Sequence, residues 1–147
     1  MQTIIPYLSA VDAEAAIRFY AEVFGAVEKG PRLTGPDGKI AHTELTIGDC
    51  DLMLAEENPE WGNLSPATIG GASVRLVIAV DNCDATYEVA LQKGAKSLIP
   101  PGDQFYGYRA ARIEDPFGHA WLLSHATSEM SNDEIQAAWQ AMLDQMG

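Results

Sequence analysis

Aspartate and glycine landmarks recur in this chain at one fixed spacing, which limits the folds open to it. Subtracting the paired positions (81 − 12, 94 − 25 and 107 − 38) gives 69 residues in every case. The landmarks are Asp12, Gly25 and Gly38 in the first half and Asp81, Gly94 and Gly107 in the second. An aspartate can cap the first amides of a helix, and a glycine can end one in the left-handed conformation. The spacing therefore predicts two copies of one structural unit.

Each copy is predicted to contain a strand, a helix and then three strands. Helices are expected over Ala13–Phe24 and over residues 82–93, where apolar side chains recur at helical spacing. Extended segments are expected near residues 4–8, 27–33, 40–47 and 51–55, and again near residues 74–80, 96–99, 108–114 and 119–124. The fold class is therefore α+β, with residues 1–127 forming a single domain from two βαβββ repeats at about 3–57 and 72–126.

Residues 128–147 are predicted to form a C-terminal helical extension. Ser131 and Glu134 have the spacing of a capping box, and apolar residues follow at helical intervals. They are Ile135, Ala138, Trp139, Met142 and Met146. The resulting stripe is expected to pack either on this chain or on a partner subunit.

Charge and cysteine content restrict the partners and the compartment. Nine basic and 21 acidic residues give a net charge of −12, which would repel phosphate backbones and anionic lipids. Nucleic acid and membranes are therefore not expected as partners. Cys50 and Cys83 lack metal-ligand spacing, and the first residues lack the basic start of a secretory signal. We expect two reduced thiols in a cytoplasmic protein.

Several short motifs resemble one known superfamily. They are Pro6-Tyr7-Leu8, Ala16-Ile17-Arg18-Phe19-Tyr20, Phe24-Gly25-Ala26, Gly38-Lys39-Ile40, His42-Thr43-Glu44-Leu45, Asp103-Gln104-Phe105-Tyr106-Gly107 and Glu114-Asp115-Pro116-Phe117-Gly118-His119-Ala120-Trp121. With the βαβββ repeat, they resemble the vicinal oxygen chelate superfamily of glyoxalase I, extradiol dioxygenases and bleomycin-resistance proteins, and within it the PhnB-like branch. The resemblance implies a glyoxalase-like curved mixed sheet around a ligand-sized cavity. It leaves the function open, because one fold hosts many functions.

The resemblance also implies four positions for a divalent metal, on the first and last strand of each repeat. In this sequence these positions carry Ile5, Met53, Arg75 and Leu122. Aliphatic, thioether and guanidinium groups cannot replace imidazole and carboxylate ligands. We therefore expect no metal and no other cofactor at the usual site. A divalent metal at a different place is the alternative.

Polar residues predicted to face the cavity are candidates for ligand binding. If Gly48 and Asp49 form a two-residue hairpin turn, Glu44 lies opposite Met53, and His42 shares their sheet face. His42 and Glu44 would bind a ligand or form a structural hydrogen-bonded pair. Arg75 lies between apolar neighbours and is expected to be a buried guanidinium, paired with Glu44 or with an anionic or carbonyl ligand.

Further candidates come from the second repeat. Gln104, Tyr106 and Arg109 belong to a polar, aromatic segment that would either close over a flat ligand or pack on its own rings. Trp121 would be a core residue or would donate its indole N–H to a ligand. No catalytic residue can be assigned from these patterns.

Two functions are consistent with the sequence. The first is binding of a small aromatic or carbonyl-containing ligand in a cavity that lacks the usual metal ligands, within a homodimer that completes the cavity. The alternative is a metal-dependent lyase or dioxygenase-type enzyme with a relocated site that uses His42 and Glu44.

Overall fold

The computed structural model describes residues 2–147; Met1, with which the predicted domain begins, lies outside them. The first half contains β1 (Tyr7–Ala10), α1 (Ala13–Phe24), β2 (Val27–Thr34), β3 (Ile40–Ile47) and β4 (Cys50–Glu56). The second half contains β5 (Arg75–Ala79), α3 (Cys83–Gln92), β6 (Lys96–Asp103), β7 (Tyr108–Glu114) and β8 (Ala120–Ala126). A short helix, α2 (Pro66–Ile69), lies between the halves, and α4 (Asn132–Met146) follows them. The α+β class and the two βαβββ units are confirmed.

The strands form two four-stranded mixed sheets, one in each half. The first sheet has the order β1-β4-β3-β2 and the second β5-β8-β7-β6. The β3–β4 hairpin has the predicted register, with Glu44 opposite Met53 and Ile47 opposite Cys50. Across residues 2–147 no backbone ladder joins the two sheets, so each repeat contributes its own sheet to the fold. As a result β1 and β5 are both edge strands, with one side of each backbone unpaired.

The helix-bearing faces of the two sheets share one core. Leu45 and Leu54 of the first sheet and Ile113 and Leu123 of the second are fully buried in it. α1 bridges the halves, since the ring of Phe24 lies 4.6 Å from that of Trp121. The opposite face of each sheet points away from this core, and we call it the outward face.

A buried carboxylate joins the halves. Asp115, at the turn between β7 and β8, is 2% exposed. Its Oδ2 accepts hydrogen bonds from the Tyr20 hydroxyl at 2.5 Å and from the Trp121 indole at 2.9 Å. Its Oδ1 accepts from the backbone amides of Phe117 and His119. Trp121 is therefore a core residue whose indole N–H is already bonded within the chain. Burial and the neighbouring Asp115 raise the pKa of Tyr20 well above its ordinary value.

The C-terminal helix α4 begins at the predicted cap, where the Ser131 side chain accepts from the backbone amide of Glu134. None of its residues is buried, and Met146 is 76% exposed. The ring of Trp139 lies 5.4 Å from that of Phe105, so α4 contacts the loop before β7. No helix within residues 2–147 is long and apolar enough to cross a membrane.

Candidate functional site

A row of side chains crosses the outward face of the first sheet. The parallel pairing of β1 with β4 places Tyr7 beside Met53, and the next two ladders place Glu44 and Lys29 in the same row. Partners in a ladder share a sheet face, and so do residues two apart in a strand. His42 therefore lies on this face too, as predicted. The structure brings His42, Glu44 and Met53 together and adds Tyr7.

Tyr7, His42 and Glu44 form a connected polar group, which we call the Tyr7–His42–Glu44 array. The Tyr7 hydroxyl lies 2.7 Å from His42 Nδ1. His42 Nε2 lies 3.8 Å from Glu44 Oε1, with the side chains 27% and 34% exposed. The histidine thus contacts a partner through each ring nitrogen, and this orients the ring. Partial burial raises the pKa of Tyr7, so its hydroxyl remains protonated and able to donate.

The surroundings leave Glu44 available to His42 and to a ligand. Lys29, the next residue in the row, forms its ion pair with Asp51 at 2.9 Å. Tyr7 was missed as a site residue, although Pro6-Tyr7-Leu8 had been noted as a motif. The signal that could have found it is the parallel pairing of the first strand with the fourth, which places residue 7 beside Met53.

Arg75 lies elsewhere and is exposed, which corrects the expectation of a buried guanidinium. It begins β5 on the outward face of the second sheet, beside Ala120. It forms no ion pair or side-chain hydrogen bond within residues 2–147, and Glu44 belongs to the other sheet. The apolar neighbours suggested burial, but β5 is an edge strand and its outward face is open in the single chain.

The predicted residues near β7 form a third group. Arg109 binds Asp84 of α3 through two nitrogens and also contacts Asp103, and this pairing lowers the pKa of Asp84. Gln104 donates to the carbonyl of Gly102 at 3.1 Å. The Tyr106 ring packs on Phe105 and Tyr108, so the segment packs on its own rings. The structure does not bring these residues near the Tyr7–His42–Glu44 array.

A prominent groove between the halves does not coincide with the array. It has a volume of about 750 Å³ and lies along the β5 edge from Leu76 to Val80, facing Phe24 and Leu52. Of the predicted site residues only Trp121 lines it. We place the candidate site at the array, because the groove follows an unpaired strand edge and contains none of the three array residues. Tyr7 also lines a smaller hollow of about 340 Å³ against the linker between the halves.

The usual metal of the superfamily does not fit these residues. Met53 lies in β4 of the first sheet and Ile5 precedes β1, whereas Arg75 and Leu122 lie two register positions apart in the second sheet. None of the four can replace an anionic or imidazole ligand. Within residues 2–147, no three His, Cys, Asp or Glu side chains cluster as metal ligands, and this does not favour a relocated metal at His42 and Glu44.

Comparison with known proteins identifies the family. An uncharacterised protein of Mycobacterium bovis is 39% identical over 142 residues, which cover 95% of this chain and 93% of that protein. Among solved structures, TioX from Micromonospora sp. ML1 superposes with a TM-score of 0.64 at 22% identity, covering 86% of this chain and 99% of TioX. The structure of an Arabidopsis thaliana protein superposes with a TM-score of 0.65 at 19% identity, covering 85% of this chain and 99% of that protein. The family model for the Glyoxalase/Bleomycin resistance protein/Dioxygenase superfamily matches residues 5–123. The chain therefore belongs to the Glyoxalase/Bleomycin resistance protein/Dioxygenase superfamily.

Proposed function

We propose that the protein binds a small planar molecule with a carbonyl or hydroxyl group on the outward face of the first sheet. The observation that carries this proposal is the Tyr7–His42–Glu44 array. A hydroxyl, an imidazole and a carboxylate lie side by side on this face, next to the exposed apolar side chains of Val27 and Leu33. Together they offer donors and acceptors to one ligand group. Protein sites for small molecules combine a few such polar groups with apolar walls.

The apolar part of this face favours a flat ligand. Val27 and Leu33 are 65% and 51% exposed, and the register places them beside Thr46 and His42. Met53 lies between Tyr7 and Glu44 and offers a deformable thioether surface. A planar ring lying on these side chains would cover exposed apolar area, while its oxygen reached the array.

We further propose that a second copy of the chain covers the outward faces, so that the functional unit is a homodimer. The edges of β1 and β5 are unpaired, and Val74 and Val77 beside them are 65% and 70% exposed. Exposed strand edges with apolar side chains favour pairing with another chain. Membership of the PhnB-like branch and a cytoplasmic location belong to the same proposal. They are supported by the quoted motifs and by the two free thiols, Cys50 and Cys83.

Titration with coumarin and chromone, two neutral planar carbonyl compounds, tests the binding proposal. We expect dissociation constants of about 1–100 μM by calorimetry, and amide NMR shifts centred on Tyr7, His42, Glu44 and Met53. Glu44→Gln removes the charge that orients His42, and Tyr7→Phe removes a hydroxyl. Each is expected to weaken binding by about three- to tenfold, because each loses about one hydrogen bond.

Matched controls separate the site from general effects. Glu129→Gln makes the same chemical change at an exposed position, and Tyr108→Phe removes another half-exposed hydroxyl. Both should leave binding unchanged. If neither compound gives heat or shifts, or if the shifts centre on other residues, the proposed site is wrong.

A further inference from the structure

Two arginines line one hollow on the outward face of the second sheet. The hollow has a volume of about 330 Å³ and includes Arg75, Arg112, Ile99 and Ala120 in its wall. The register places Arg75 beside Ala120 and Arg112 beside Leu122, two residues further along the same strand. Both side chains therefore arise from the same sheet face. We infer that this hollow binds a small carboxylate-bearing molecule.

The charge balance of the hollow supports an anion. The chain has 21 acidic residues to its 9 basic ones, so acidic partners are in excess. Arg32 binds Glu14 and Glu28, and Arg109 binds two aspartates. Unlike Arg32 and Arg109, Arg75 and Arg112 form no ion pair and no side-chain hydrogen bond within residues 2–147.

The carboxylate inside the hollow does not neutralise the two arginines. Glu114 lines the hollow, but its Oε2 lies 3.6 Å from Nζ of Lys96. The charges of Glu114 and Lys96 therefore cancel. The two guanidinium groups leave a local positive charge on a protein of net charge −12. Arg112 is half-buried, so part of its hydration is already lost and an anion can restore the missing contacts.

The shape and the remaining wall narrow the ligand class. A guanidinium offers parallel N–H donors that match a carboxylate. Leu98 and Ile99, 47% and 45% exposed, supply an apolar surface beside the charge. A hollow of about 330 Å³ is at the small end of ligand pockets. A monocarboxylate with one aromatic ring fits these features, whereas a polyanion would be repelled by the surrounding acidic surface.

Cinnamate and its neutral isostere cinnamamide provide the test. Amide NMR titration should show cinnamate shifting residues 73–75, 98–99, 112 and 120, with an affinity at least about tenfold above that of cinnamamide. Equal affinities, or no shifts with cinnamate at about 5 mM, would overturn the inference. This test is independent of the ligand proposed for the first sheet, because NMR shifts at Tyr7, His42 and Glu44 report on that site separately.

Variants assign the effect to the two arginines. Arg75→Gln and Arg112→Gln should each weaken cinnamate binding by about tenfold, since each removes a charge-assisted hydrogen bond. Arg18→Gln is the matched control, because Arg18 is an exposed arginine on α1 outside the hollow, and it should bind as the native protein does. Sedimentation is measured on every variant. If the double variant changes the oligomeric state but keeps its cinnamate affinity, the arginines serve a subunit contact and the inference fails.

Discussion

Replacing the buried Asp115 by asparagine should destabilise the protein strongly although the two side chains have the same shape. Each carboxylate oxygen accepts two hydrogen bonds, Oδ1 from the amides of Phe117 and His119 at 2.9 and 3.0 Å, and Oδ2 from Tyr20 and Trp121 at 2.5 and 2.9 Å. An asparagine amide has one acceptor oxygen and one donor NH₂. Either orientation of the amide therefore turns a donor toward two N–H or O–H groups.

The expected loss follows from those contacts. Hydrogen bonds to a charged acceptor contribute about 1.5–3 kcal/mol each, and two of them lose their acceptor in the variant. Rotation of the Tyr20 hydroxyl can recover part of one, because a hydroxyl can also accept. We expect the free energy of unfolding to fall by about 3–5 kcal/mol, which lowers Tm by on the order of 10 °C in a domain of this size.

Urea unfolding followed by far-UV circular dichroism measures this change, at one fixed protein concentration because association would alter apparent stability. Asp49→Asn is the control, since Asp49 is exposed in the β3–β4 turn and should change stability by less than about 0.5 kcal/mol. A loss below about 1 kcal/mol in Asp115→Asn would refute the reasoning that the carboxylate holds the core together.

Two further measurements address alkaline stability and assembly. Because burial raises the pKa of Tyr20, the folded protein keeps this proton above the ordinary value of 10.0, while the unfolded chain releases it. The stability that this group contributes is complete below pH 10.0 and is lost as the pH rises further. In urea titrations, the native protein should therefore lose stability above pH 10.0 more steeply than Tyr20→Phe. Equal slopes for the two proteins would contradict the raised pKa of Tyr20. In sedimentation equilibrium, Val77→Lys should convert the proposed homodimer to a monomer. The control, Ile69→Lys in the short helix α2, should not. If the Val77→Lys variant remains a dimer, the proposed contact is wrong.

The sequence predicted the fold well because its landmarks have local physical causes. The side chain of Asp12 accepts from the backbone amide of Ala15, and Gly25 has φ 71°, the left-handed value that favours glycine. Asp12 acts at the start of α1 and Gly25 at its end, and each effect can be predicted without knowing the rest of the structure. The β3–β4 register was predictable for the same reason, since a two-residue turn determines which residues face each other.

The candidate site was less predictable because it depends on contacts between distant strands. His42 and Glu44 were found from a single hairpin, whereas Tyr7 lies 35 residues before His42 and reaches it only through the parallel β1–β4 pairing. Arg109 was proposed as a ligand group, but α3 supplies Asp84 to its guanidinium. Helix–strand packing of this kind leaves no periodic signal in the sequence, so the Arg109–Asp84 contact could not be anticipated, whereas Tyr7 required the β1–β4 register.

The misjudged burial of Arg75 indicates what the single chain lacks. Residues 74–80 are apolar on both faces apart from Arg75, a pattern typical of strands covered on both sides. In the structure the inner face of β5 packs on the core through Leu76 and Ile78, while Val77 on the outward face is 70% exposed. The sequence of β5 is thus typical of a strand that is covered on both faces, whereas a single chain covers only its inner face. A second copy lying along this edge would cover Val77, and this is why a charge at that position discriminates between a dimer built on β5 and one built elsewhere.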